Sequence, residues 1–200
     1  LEVTDDAGNR TGTFNGQILS EIPGSHPMYM VKGAYLLPAA TALTRRIVGT
    51  AAGAYTYASI LPGGATIAIE GATINPGEQD VVAISGDGTQ IRITPAVTKS
   101  FDLTFGREVD GQSRAIAVLG IGSVAGAPVD ITLSPELSLV RIGNGAVDRV
   151  VDVRAFAVGH GGIAPLNQQV PGIALPANHD LAIAVPDWTA LNLTATAVPF

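Results

Sequence analysis

The chain has 200 residues, no cysteine and a formal net charge of −6, with hydrophobic residues at 46% and charged residues at 14%. The lack of cysteine excludes disulfides, thiolate metal sites and cysteine nucleophiles. An acidic balance without a basic run (Arg45-Arg46 is the densest cationic pair) argues against nucleic acid, and no apolar run approaches the roughly eighteen residues of a membrane-spanning helix.

The apolar content is carried by Ala, Val and Ile and punctuated by 24 Gly and 13 Pro, which suits short strands and tight turns. Residues 1–4 read as an edge strand, and Asp5-Asp6-Ala7-Gly8-Asn9 as a turn. A strand over 11–19 follows. The loop 21–27, with two prolines, cannot be a central strand. Residues 28–32 and 34–37 read as short strands broken by Gly33, and 38–44 could form one or two helical turns. Two alternating strands, 43–48 and 54–60, are joined by a loop at 50–53. Residues 65–70 alternate, and 71–94 reads as strand, turn, strand, Asp87 turn and strand. Residues 95–99 lack an apolar pattern and mark the expected boundary between modules.

The second half opens with a strand over 100–105 that puts Phe101, Leu103 and Phe105 on one face. Further strands are expected at 115–121, 129–133 and 137–142. A positive-φ hairpin turn at Gly143-Asn144-Gly145 leads into a long alternating strand over 147–158. Residues 159–167 read as a loop, and 170–175 and 181–185 as strands, closed by Trp188, Leu191, Leu193 and Val198.

The stretch 71–94 returns about one hundred residues later. Asp80, Asp87, Thr89 and Thr94 fall on Asp180, Asp187, Thr189 and Thr194, and a one-residue slip brings Gly71 and Ile74 onto Gly172 and Leu175. This echo points to one hairpin device used in each half. With seven or eight short strands expected per half and turn signals at about 8–12 residues, the fold class expected is all-β, as two tandem antiparallel immunoglobulin-like sandwiches over 1–96 and 98–200.

Chemistry-bearing residues are sparse. His26, His160 and His179 lie in loops or turns without metal-ligand spacing. His160-Gly161-Gly162 matches an oxyanion loop only in outline, because no G-x-S-x-G elbow accompanies it. The glycines of 120–126 have no Lys-Ser/Thr after them to make a phosphate loop. Asp5, Asp6, Asn9 and Asp87 could offer oxygen ligands to a structural Ca²⁺, although Asp, Asn and Gly also populate turns for backbone reasons alone. No other cofactor is expected. Tyr29, Tyr35, Tyr55, Tyr57 and Trp188 are candidates for a carbohydrate-stacking platform, with Tyr55, Tyr57 and Trp188 foremost, against core burial, which is the default for a lone Trp. No nucleophile, metal or acid/base constellation marks an enzyme.

Residues 3–12, VTDDAGNRTG, resemble a strand and turn that recur in secreted bacterial proteins, with Asp6 standing where that pattern has proline. The loop 20–26, SEIPGSH, and the hairpin 43–60 follow in the same order, and 181–191 resembles the closing "DW..L" strand of neighbouring modules. The resemblance is to β-sandwich, immunoglobulin-like accessory modules at the C-terminal end of large secreted bacterial proteins. It implies an extracellular or cell-surface, non-catalytic module whose partners are neighbouring domains or surface proteins. A start at Leu1 without a methionine or signal pattern fits a mature segment or a piece of a longer chain. Two other readings remain open. A carbohydrate-binding module of a secreted hydrolase would contact polysaccharide through an exposed row of rings. A jelly-roll viral or phage coat or fibre protein would be one continuous domain in symmetric oligomers.

Overall fold

Period-two alternation of Val, Ile, Leu and Phe with small or polar residues makes strands with one buried face. The structure, a computed structural model, describes residues 1–31, 33–39, 41–145, 147–159 and 165–199. Among these are eighteen strands and one short 3₁₀ turn at Pro62–Gly64. The first ten strands are β1 (Glu2–Asp5), β2 (Arg10–Phe14), β3 (Gln17–Ser20), β4 (His26–Pro27), β5 (Tyr35–Leu36), β6 (Leu43–Val48), β7 (Gly53–Ile60), β8 (Thr66–Ile74), β9 (Gln79–Ile84) and β10 (Gln90–Thr94). The remainder are β11 (Lys99–Val109), β12 (Gln112–Ser123), β13 (Val129–Leu133), β14 (Leu139–Gly143), β15 (Arg149–Gly159), β16 (Leu166–Leu175), β17 (His179–Ala184) and β18 (Thr194–Pro199). The fold is all-β and every pairing is antiparallel.

Two sheets carry the architecture. One has ten strands in the order β18-β17-β14-β13-β10-β9-β6-β1-β2-β3, the other six in the order β16-β15-β12-β11-β8-β7. From β6 onward the chain crosses between sheets after each hairpin: β7–β8, β11–β12 and β15–β16 lie in the smaller sheet, and β9–β10, β13–β14 and β17–β18 in the larger. Val82, Ile84, Ile91, Ile93, Ile131 and Ile142 of the large sheet share one buried cluster with Ile67, Ile69, Phe101, Leu103, Phe105 and Val153 of the small one. The connectivity is a local zigzag of hairpins and differs from the paired Greek keys of a jelly roll.

The expected boundary falls in the connection between β10 and β11, and two strand ladders cross it. Ile91 pairs with Ile131 between β10 and β13, and Phe105 pairs with Ile67 between β11 and β8. The two halves meet along sheet edges and share the core.

The hundred-residue echo is two steps of a shorter repeat. Strands β9, β13 and β17 start at Gln79, Val129 and His179, fifty residues apart, and β11 and β15 start at Lys99 and Arg149. Each hairpin of the small sheet carries a bulge at the same place. The register shifts between Tyr55 and Tyr57, between Phe101 and Leu103, and between Val151 and Val153. The extra residue opposite is Gly71, Gly120 or Gly172, with φ of 71°, 78° and 65°. A side chain is strained in that conformation, so glycine is the residue that fits. Asp102 and Asp152 each accept the amide of the facing glycine, Gly120 and Gly172, at 2.8 Å. The turns repeat as well: Ser85 Oγ accepts Gln90 N at 3.0 Å and Ser134 Oγ accepts Leu139 N at 2.8 Å, with Gly88 and Leu137 both at positive φ.

Two expectations near the start of the chain differ from the structure. Residues 28–31 are not a strand. They form the tip between β4 and β5, where Met28 N donates to Ala34 O at 2.9 Å. The described residues of 38–44 hold no helix, and β6 already begins at Leu43, where it pairs with β1 and β9.

Candidate functional site

The Asp5 turn is built by its own side chains. Asp5 Oδ1 accepts the amides of Ala7 at 3.0 Å and Asn9 at 2.8 Å, while Oδ2 accepts Asn9 Nδ2 at 2.8 Å. The Asn9 side-chain amide is the main reason the Asp5 carboxyl titrates below its usual range. Asp6 is exposed beside it. In the β9–β10 turn, Asp87 Oδ1 accepts Ser85 Oγ at 2.6 Å, Thr89 N at 3.1 Å and Thr89 Oγ1 at 3.0 Å. Asp187 Oδ1 repeats this with Thr189 N at 2.8 Å and Thr189 Oγ1 at 2.6 Å. The carboxylates expected as Ca²⁺ ligands thus belong to two separate turns, and Asp5 and Asp87 are engaged in holding them. Among the described residues no group of three or more His, Asp or Glu side chains converges as a metal site.

Three turn carboxyls, Asp5, Asp87 and Asp187, have folded values lowered from the ordinary 3.8. The foremost causes are hydrogen bonds from Asn9, Ser85 and Thr189, respectively. A depressed folded value gives stability that is complete above the unfolded value and lost as pH falls through the folded one. The melting temperature is therefore expected to hold from neutrality down toward 3.8 and to fall below it. The Asp87→Asn/Asp187→Asn double variant should lose part of that acid dependence. An unchanged acid profile in the double variant would refute this assignment.

The aromatic platform expected from Tyr55, Tyr57 and Trp188 is not exposed. The extra bulge residue lies on β8, so β7 keeps its alternation and points both tyrosines inward. Tyr57 is 7% exposed and Trp188 4% exposed. The Trp188 ring lies under the Arg114 guanidinium at 5.6 Å to the centroid, and none of the three presents a free face for a sugar to stack on.

Tyr55 belongs to a buried polar network that joins the two sheets. Its hydroxyl donates to Asp80 Oδ2 at 2.7 Å. Lys99 Nζ donates to Asp80 Oδ1 at 2.9 Å and Oδ2 at 2.7 Å, and to Thr73 O at 2.6 Å. Ala96 N completes the Asp80 shell at 2.8 Å. Burial first, and the Asp80 hydrogen bond second, push the Tyr55 hydroxyl far above its usual value. The signal for this pair was present in the sequence: Asp80 shares a face with Val82 and Ile84, and Lys99 with Phe101, Leu103 and Phe105.

A second buried polar group sits at the β6–β7 end. Leu43, Arg45 and Ile47 alternate on β6, so Arg45 points between the sheets and is 5% exposed. Its Nη1 donates to Leu43 O at 2.9 Å. The Tyr57 hydroxyl makes no well-formed hydrogen bond; burial raises its titration value, while the Arg45 charge and the nearby Ser59 and Arg45 side chains work against that rise. Both line a cavity of about 540 Å³ roofed by residues 33–39.

His26 is exposed on β4, and His179 on β17 pairs its Nδ1 with Ala177 O at 3.0 Å. His160 and the Gly161-Gly162 that follow it lie outside the described residues. No protein-family model matches the chain, and no curated protein or solved structure matches it either.

Proposed function

We propose that this chain is a non-catalytic structural module of an exported bacterial protein, holding a partner domain at a set distance or presenting it to other proteins at a surface. The observation that carries this reading is the strand order of the large sheet. β1 and β18 lie seven strand spacings apart in one hydrogen-bonded ladder, roughly 34 Å at about 4.8 Å per strand. Chain entering at β1 and leaving at β18 is thereby held apart by a sheet that cannot bend like a linker. Asp5, Asp87 and Asp187 of the turns, Asp102 and Asp152 of the bulges and the Asp80–Lys99 pair are bonded within the scaffold, which fits a role as a spacer. A contact role is supported by the β4–β5 tip, where Met28, Tyr29, Met30 and Val31 are 41%, 86%, 99% and 53% exposed.

The lack of cysteine allows clean spin labelling. Labels at Ala7→Cys and Ala190→Cys, both exposed turn positions, are expected to give one narrow distance distribution by pulsed electron resonance. A broad or bimodal distribution would sink the spacer reading.

A further inference from the structure

We propose that the cavity at the β6–β7 end binds a small monocarboxylate with an apolar body, its carboxylate seated on Arg45 and Tyr57. The cavity follows from the unequal sheets. The small sheet ends at β7, while the large one continues past β6 into β1, β2 and β3. The inner face left over is covered by the small β4–β5 hairpin and the chain that follows it instead of a further strand of the small sheet, and the gap of about 540 Å³ lies between them. That volume falls within the roughly 300–1,000 Å³ of small-molecule sites.

The cavity floor is polar in a specific way. A buried charge needs a counter-charge, and the other buried cation, Lys99, has one in Asp80. Arg45 has none among the described residues, and a single backbone carbonyl is its hydrogen-bond acceptor. The rest of its planar fork of donors is left for a carboxylate, the group whose geometry it matches. The Tyr57 hydroxyl, buried in the same cavity beside the Arg45 and Ser59 side chains and without a well-formed hydrogen bond, adds another donor. Ordered water could satisfy a hydroxyl but would not neutralise the guanidinium. The walls contributed by Leu36, Leu37, Pro38, Leu61 and Pro62 are apolar, which selects a ligand with a hydrocarbon body over phosphate or a sugar acid.

The test is calorimetric titration of the whole chain with hexanoate and, in parallel, with hexan-1-ol, which has the same body without the charge. Saturable binding of one hexanoate per chain is expected, with hexan-1-ol at least about tenfold weaker. Arg45→Gln should weaken hexanoate by about tenfold or more, and Tyr57→Phe by about threefold to tenfold. Because Arg45 is buried, Leu36→Glu is the companion variant: Leu36 is 56% exposed at the rim, so the fold is kept while a like charge is set at the mouth. It should weaken hexanoate and spare hexan-1-ol. Absence of saturable hexanoate binding, equal binding of the alcohol, or affinity unchanged in both Arg45→Gln and Leu36→Glu would each overturn the assignment.

Discussion

Lys99→Met is expected to lower unfolding stability by about 3–5 kcal/mol, the cost of leaving one member of a buried ion pair without its partner. The side chains of Lys99 and Asp80 are 2% and 1% exposed, so water cannot solvate the carboxylate left behind. Lys99 bonds both Asp80 oxygens and Thr73 O, and Tyr55 and Ala96 bond Asp80. The network ties β7, β8 and β11 of the small sheet to β9 of the large one beside the β10–β11 connection. The variant Lys99→Met/Asp80→Leu should recover part of the loss, since no lone charge remains. It should not recover all of it, because the Tyr55 hydroxyl and Ala96 amide then lose their acceptor, at about 1–3 kcal/mol for each buried group left unsatisfied. Urea unfolding monitored by circular dichroism measures both variants. A loss below about 1 kcal/mol for Lys99→Met, or a double variant worse than the single, would show that the pair is not the clamp described.

Strand class and most strand positions were legible because burial follows period two, and the structure keeps that period through Val82-Ile84, Ile91-Ile93 and Phe101-Leu103-Phe105. The fifty-residue step was not legible at the first order. Its middle copy replaces Gly-Asp-Gly-Thr by Pro-Glu-Leu-Ser between the same two serine-anchored ends, so backbone geometry repeats where residue identity does not. Gly71 and Gly172 matched across one hundred residues because the bulge demands positive φ. Gly120 meets the same demand between them, off the hundred-residue register. Tyr55 and Tyr57 show the limit of pattern reading. Alternation shows that two rings share a face, and only the position of the second sheet decides that the face is the interior. Asp5 and Asp87 show another limit, since a carboxylate that could ligate an ion and one that caps its own turn have the same local sequence.

Residues 97–200 expressed alone are expected to fold, and residues 1–96 alone are expected not to. The C-terminal piece keeps β13, β14, β17 and β18 facing β11, β12, β15 and β16, a four-on-four sandwich with its own Phe101, Leu103, Phe105, Val153, Leu181 and Trp188. The N-terminal piece keeps β10, β9, β6, β1, β2 and β3 of the large sheet but only β7 and β8 opposite them. A two-stranded sheet is marginal by itself, and here it loses the β11 ladder that pairs Thr66–Glu70 with Asp102–Gly106. Ile67, Ile69, Ile91 and Ile93, each at most 2% exposed in the whole chain, would then lose neighbours supplied by β11 and β13. Burial of one such side chain stabilises by about 1.5–3 kcal/mol, so partial exposure of four is comparable to the total stability of a small domain, about 5–15 kcal/mol. The intact chain should accordingly unfold in one calorimetric transition. Mixing the pieces should restore dispersed amide resonances to labelled 1–96, through β10–β13 and β8–β11 pairing. A dispersed spectrum and a cooperative melt from 1–96 alone would mean that the shared core is not what holds the first half together.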